Sequence, residues 1–372
     1  MMNLPKEILQ SDEEAVYRLR ALYSKYGYAR YKVSKFEKYD LYAHNKSFLV
    51  CENILTFTDT NGQLMALKPD VTLSIVKNFG MGKSGTGKLY YSETVYRTSA
   101  RSEGFREIRQ TGLECVGKID LYLTSEVVML ASKSLALMND RYMLDISHMG
   151  YLLGLLSEYG VSERDTDEVL QLITNKNLPG LQSFSLEHEL AGEALEALTG
   201  ITTLYEPLES ALPKLSSYVR GEAMQKAYNE LSALSSVLSA WGVEAPVYAD
   251  FSIAADRNYY NGIVFRGYVA GIPEAILSGG RYDSLLARLG RSDEAIGFAV
   301  YPELIGALNR NADEYDVDAV LLYSEDTDEK ALIEAVTKLE KSGKSVRAEC
   351  RETPASRAKE IYKMNGREAF PV

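Results

Sequence analysis

Cysteine is scarce: Cys51, Cys115 and Cys350 are the only three in 372 residues, widely separated and without a C-x-x-C pair. That excludes a disulfide framework and a thiolate zinc site, and it suits a reducing cytoplasm. Histidine is equally sparse, with His44, His148 and His188 far apart and in no H-E-x-x-H arrangement, so no metal is expected. No run reaches ~18 uninterrupted apolar residues, and MMNLPKEILQSDEE lacks a basic-then-apolar profile, so neither a membrane span nor a signal peptide is expected. Positive charge is in deficit: 41 Lys plus Arg against 52 Asp plus Glu leave a net charge of −11. That weighs against an extended phosphate-binding groove, though a local basic patch remains compatible with it. What is present is ordinary for a globular chain: 46% apolar and 25% charged residues, and length for two or three domains.

Ser11-Asp12-Glu13-Glu14 reads as a capping box with Ser11 as N-cap and Glu14 reaching back, opening a helix that closes at Gly27. Residues from about 47 to 76 read as strand, with a hairpin turn at Thr60-Asn61-Gly62. Segments 88–97 and 106–117 look like a second antiparallel pair, and a helix is predicted over about 122–138. Helical periodicity dominates 150–245. Strand character returns at 246–254, 260–268 and 274–279, before a helix at 282–289. Beyond Asp316, a strand, a helix and a strand form a small α/β unit. Antiparallel pairs interrupted by a helical insertion predict an α+β fold with a core over 1–310, an insertion over about 150–245 and a short module over 316–372.

Two phosphate-loop patterns are decoys. Gly80, Gly82 and Gly85 match G-x-G-x-x-G, and Gly82 to Lys88 match the first seven positions of a P-loop. Both devices need a helix after the glycines, whose amides meet phosphate. Here a strand-like LYYSETVYR follows, and Leu89 stands where a hydroxyl would hold Mg²⁺.

Four separated segments carry a more specific signal. They are Ala66-Leu67-Lys68-Pro69-Asp70-Val71-Thr72; Val95-Tyr96-Arg97 with Glu103-Gly104-Phe105-Arg106 and Gln110 to Glu114; Asn258 to Phe265 (NYYNGIVF); and Ser278 to Leu285 (SGGRYDSL) with Ile296-Gly297-Phe298-Ala299. In that order they resemble the catalytic core of the histidyl-tRNA synthetases, class II aminoacyl-tRNA synthetases with an antiparallel sheet and flanking helices. The resemblance covers about 11 to 306. It implies a histidine pocket in which Asp70, Thr72 and Gln110 receive the α-ammonium, and Glu114 and Tyr260 address the imidazole nitrogens. Tyr259 and Tyr282 form walls, and Arg97 supplies the motif 2 cation.

The departures from that pattern concern ATP. Forming an adenylate needs cations around the rearranging charge at the α-phosphate. Where the family has arginine before its D-Y-Y segment this chain has Ala255, and the arginine that ends the family's third motif is Leu304. Tyr301-Pro302 replace Gly-Leu, and Ser99 stands for a carboxylate near adenine. Losing one preorganised charge costs roughly 3 kcal/mol, or about a hundredfold, and two losses approach ~10⁴-fold. Arg257 is the nearest substitute cation. Arg281 either pairs with Asp283 or contacts ligand. Glu303, without its neighbouring arginine, reads as a surface residue.

A histidine pocket without adenylation machinery, followed by a tail shorter than an anticodon-binding domain, resembles the family's regulatory branch. Those proteins are non-catalytic subunits that partner a short-form ATP phosphoribosyltransferase at the first step of histidine biosynthesis. The resemblance implies no catalytic residue, cofactor, metal, tRNA or membrane. It implies a cytoplasmic homodimer within a hetero-oligomer, with L-histidine as feedback effector, bound in this pocket or between subunits. The competing expectation is an active synthetase or another amino-acid-activating enzyme.

Overall fold

The computed structural model describes residues 10–45, 49, 54–79, 85–98, 104–243, 247–253, 257–309 and 315–372. Cys51, Ser99, Glu103, Ala255 and the glycines at 80 and 82 lie outside the described residues. The chain divides into two compact units, Met1–Gly306 and Ala307–Val372.

The first unit begins with α1 (Ser11–Lys25), β1 (Ala29–Arg30), β2 (Phe36–Lys38) and α2 (Tyr39–Ala43). Next come β3 (Thr56–Thr58), β4 (Leu64–Leu67), α3 (Thr72–Asn78), β5 (Gly87–Thr98), β6 (Phe105–Gly117), α4 (Leu121–Ala136) and β7 (Tyr142–His148). The insertion holds α5 (Met149–Glu158), α6 (Thr166–Thr174), α7 (Leu178–Glu187), α8 (Gly192–Thr203), β8 (Glu206–Pro207), α9 (Leu208–Tyr218) and α10 (Gly221–Ala240). The unit finishes with β9 (Val247–Ala249), β10 (Ile263–Val269), β11 (Leu277–Arg281), α11 (Asp283–Arg288) and β12 (Glu294–Val300), and α12 (Glu303–Asn309) follows.

Nine strands form one sheet in the order β1-β5-β6-β12-β11-β10-β7-β9-β8. The expected α+β architecture is present. Its inner pairings are antiparallel, while β1 joins β5 and β9 joins β7 in parallel. The sheet therefore opens and closes on two-residue strands. Leu19 and Tyr23 of α1 and Val127 and Leu130 of α4 pack with Leu113, Phe265 and Phe298 of the sheet, all buried. The insertion is tied to this core rather than hung from it. Its α10 lies against α4 and α5, and buried His148 caps α5 by accepting the Tyr151 amide while its other nitrogen faces Glu230 of α10 at 3.0 Å.

Two local expectations are corrected, and a third is met. The first helix is capped one residue early: the Gln10 amide donates to Glu13 at 3.2 Å, and Glu14 pairs with Arg18 instead. Residues 72–78 are helical although rich in strand formers. Every side chain from Thr72 to Val76 is buried, so alternation carried no information, and the Asp70 carboxylate caps the turn by accepting the Leu73 amide at 2.7 Å. The expected turn at 60–62 is present, with Asp59 accepting the amides of Asn61 and Gln63.

The second unit is larger in strands than the strand-helix-strand expected. It comprises β13 (Val317–Tyr323), α13 (Glu329–Lys341), β14 (Val346–Cys350), β15 (Ala358–Asn365) and β16 (Glu368–Pro371), in the sheet order β14-β13-β15-β16. The last two strands turn at Asn365-Gly366, with Gly366 at φ +64°.

Candidate functional site

A cavity of about 270 Å³ opens between the N-terminus of α3 and the face of β6, β12, β11 and β10. Position along β6 explains its polar lining. Gln110, Gly112 and Glu114 are two apart and project to one face. All eight residues expected at the histidine pocket line this cavity: Asp70, Thr72, Arg97, Gln110, Glu114, Tyr259, Tyr260 and Tyr282.

Glu114 lies at the centre of the hydrogen-bond network. It accepts from the Thr72 hydroxyl at 2.8 Å on one oxygen and from the Tyr282 hydroxyl on the other. Burial pushes its carboxyl up to about 8, against the lowering effect of those two donors, and Asp70 nearby adds to the rise. Asp70 is raised as well. Burial dominates there, opposed by the Arg97 guanidinium 4.0 Å away and by the amides of Leu73 and Thr72. Arg97 donates through Nε to the Pro69 carbonyl at 2.8 Å. Tyr259 packs edge-on against Tyr260, with centroids 4.7 Å apart, and tilts against Tyr282 at 5.8 Å, which closes one side with aromatic surface.

The floor is made by missing side chains. A Cβ on Gly297 would sit 1.8 Å from the Glu114 carboxylate and 2.5 Å from the Leu113 carbonyl. Gly297→Ala is therefore expected to displace Glu114 and cost about 1–3 kcal/mol in stability, visible as a lowered thermal midpoint. An unchanged midpoint would show that the strand can yield.

The remaining sequence candidates fall outside the lining. Arg257 pairs with Glu163 and Asp167, each at 2.6 Å, and is not among the lining residues. Arg281 pairs with Asp283 at 2.8 Å and with Glu294. Exposed Glu303 accepts the Arg109 amide at 3.0 Å. Tyr301 does line the cavity, and its hydroxyl lies 3.4 Å from the Gln110 amide nitrogen. Sequence reading missed Arg266 and Tyr91, both lining residues. Arg266 carried a signal, as the lone charge in the otherwise apolar and aromatic strand IVFRGYV. Tyr91 carried none, being one of several tyrosines in its strand.

The lining can receive a zwitterion. Acceptors at Asp70 suit an ammonium, Arg97 and Arg266 suit a carboxylate, and Glu114 with the tyrosines suits a polar ring.

A profile of the family described as histidyl-tRNA synthetase matches residues 3–305. The ATP phosphoribosyltransferase regulatory subunit of Clostridium acetobutylicum is 28% identical over 368 residues, covering 92% of this chain and 89% of that protein. The fold is similar to an ATP phosphoribosyltransferase regulatory subunit/histidyl-tRNA synthetase from Bacillus halodurans, with TM-score 0.75, 22% identity and 95% and 92% of the two chains covered. It is also similar to a chain of the ATP phosphoribosyl transferase (HisG:HisZ) complex from Thermotoga maritima, with TM-score 0.62, 20% identity and coverage of 81% and 98%.

Proposed function

The chain belongs to the histidyl-tRNA synthetase family, and on that premise we propose that it is the regulatory subunit of ATP phosphoribosyltransferase, acting in histidine biosynthesis without chemistry of its own. It partners the short-form catalytic subunit, as a homodimer within a hetero-oligomer in the cytoplasm, and L-histidine bound in the Glu114 cavity is its effector. It neither makes an adenylate nor engages tRNA.

One observation supports this reading: the eight side chains that the resemblance assigns to an amino acid line one cavity, while Arg257, the nearest candidate for a phosphate cation, pairs with two carboxylates elsewhere. Arg257 is held by Glu163 and Asp167, and Tyr301 stands in the cleft where the family has glycine. At about 270 Å³ the cavity lies near the small end of ligand sites (~300–1,000 Å³), which suits one amino acid better than an amino acid with a nucleotide. The names of the curated relatives support the same reading.

In this mechanism histidine acts by a coupling free energy, typically ~1–3 kcal/mol, between the filled cavity and the partner's active arrangement. Two measurements test it. The purified chain should show no histidine-dependent ATP–pyrophosphate exchange. A short-form catalytic subunit should become active only when mixed with it, and histidine should lower that activity. Histidyl-adenylate formation by the chain alone would overturn the proposal in favour of a working synthetase.

A further inference from the structure

The floor of the Glu114 cavity changes height along one strand. Antiparallel pairing of β12 with β6 sets Gly297 opposite Glu114 and Ala299 opposite Gly112. Side chains two residues apart in a strand share a face, so Gly297, Ala299 and Tyr301, just past the strand end, follow one another along the cavity, and all three line it. In that order they contribute no side chain, a methyl group and a phenol.

The backbone of Tyr301 is fixed on both sides. Its amide donates to the Ile276 carbonyl at 2.8 Å, ahead of β11, and its carbonyl accepts the Leu304 amide at 3.2 Å in the first turn of α12. Its hydroxyl lies 3.4 Å from the amide nitrogen of Gln110, a side chain that is itself buried. The phenol thus reaches across to β6 from a base that sheet and helix both hold.

Spacing along the strands says what fits. Two residues of an extended strand advance about 7 Å, and four about 14 Å. With its ring on Glu114, a histidine lays its backbone and carboxyl group over the next step, beside Ala299, where Ser278 and Arg266 follow on β11 and β10. Anything joined beyond that carboxyl enters the step after it, which Gln110 and Tyr301 occupy.

Resting on the histidine reading of this cavity, we propose that Tyr301 is a specificity-determining residue for ligand length. Its ring admits the free amino acid and excludes derivatives extended through the carboxyl group, such as peptides and esters. Selection of this kind works by a clash with the wrong ligand, without added attraction for the right one.

Isothermal titration of the full chain with L-histidine, L-histidinamide and L-histidylglycine tests it. The last two both carry an amide in place of the carboxylate, so the difference between them reads length and not charge. The wild type should bind histidinamide at least ~10-fold more tightly than the dipeptide. Tyr301→Ala should raise dipeptide affinity by ~10-fold or more and bring the two ligands within ~3-fold of each other. Tyr301→Phe, which keeps the ring and loses the hydroxyl, should discriminate like the wild type, and loss of discrimination there overturns the steric assignment. Equal binding of amide and dipeptide by the wild type overturns the proposal whether or not any variant folds. A folded Tyr301→Ala that gains no dipeptide affinity does the same while leaving the histidine reading intact. A wild type that binds no L-histidine overturns that reading, and this proposal with it.

Discussion

Glu114→Ala is expected to weaken L-histidine binding about 100-fold or more, because it deletes a buried, charge-assisted acceptor. The loss has two parts. The ligand's ring N–H loses its partner, and the hydroxyls of Thr72 and Tyr282 lose the carboxylate that orients them. Calorimetry on the wild type and the variant measures this directly, and indistinguishable binding heats would remove Glu114 from the site. The pH dependence carries the same signature. In the free protein the carboxyl is raised to about 8, so near neutrality much of it is protonated. A third donor from the ligand favours the carboxylate, so binding must expel that proton. Affinity is therefore expected to rise with pH between about 6.5 and 8, by at most tenfold per unit, and to level off above the free-state value. Glu114→Gln should flatten that slope.

Lys68→Met is expected to be the most damaging single change to stability, costing ~3–5 kcal/mol, or roughly 5–10 °C in the thermal midpoint. The Lys68 side chain is fully buried, and its ammonium lies 2.5 Å from the Glu93 carboxylate, which also accepts the Val33 amide. The methionine has nearly the right volume, so the penalty comes from stranding Glu93 rather than from a hole. A Lys68→Met/Glu93→Gln double variant should recover most of the loss in a circular dichroism melt. If the single variant melts like the wild type, the ion pair contributes nothing to the fold.

Where local chemistry decides the structure, the sequence was legible. The strands expected at 88–97 and 106–117 stand at Gly87–Thr98 and Phe105–Gly117, and the helix expected at about 122–138 stands at Leu121–Ala136. The eight pocket residues were gathered by resemblance from four segments, and the structure brings them to one cavity. Elsewhere tertiary context prevailed. Buried along its first five residues, α3 shows no amphipathic period to read. The β15–β16 hairpin had a usable sign in Asn365-Gly366, but its flanks are mostly exposed and polar, so alternation was weak. Arg266 entered the cavity through strand pairing that places it opposite Ser278 and Asp145, a relation no linear pattern contains. A larger cavity of about 1000 Å³ is of the same kind: Asp145, Lys176, Tyr205 and Asp250 line it although they are distant in sequence.

The large sheet ends at both margins in strands of two residues, β1 and β8. At the β8 margin a rim that short offers a foreign β-segment almost no ladder to extend, and β8 carries Pro207, which has no amide hydrogen to give. Along that margin, copies of this chain are thus protected from zipping together rim to rim, and an added strand would have to find the longer β5 instead.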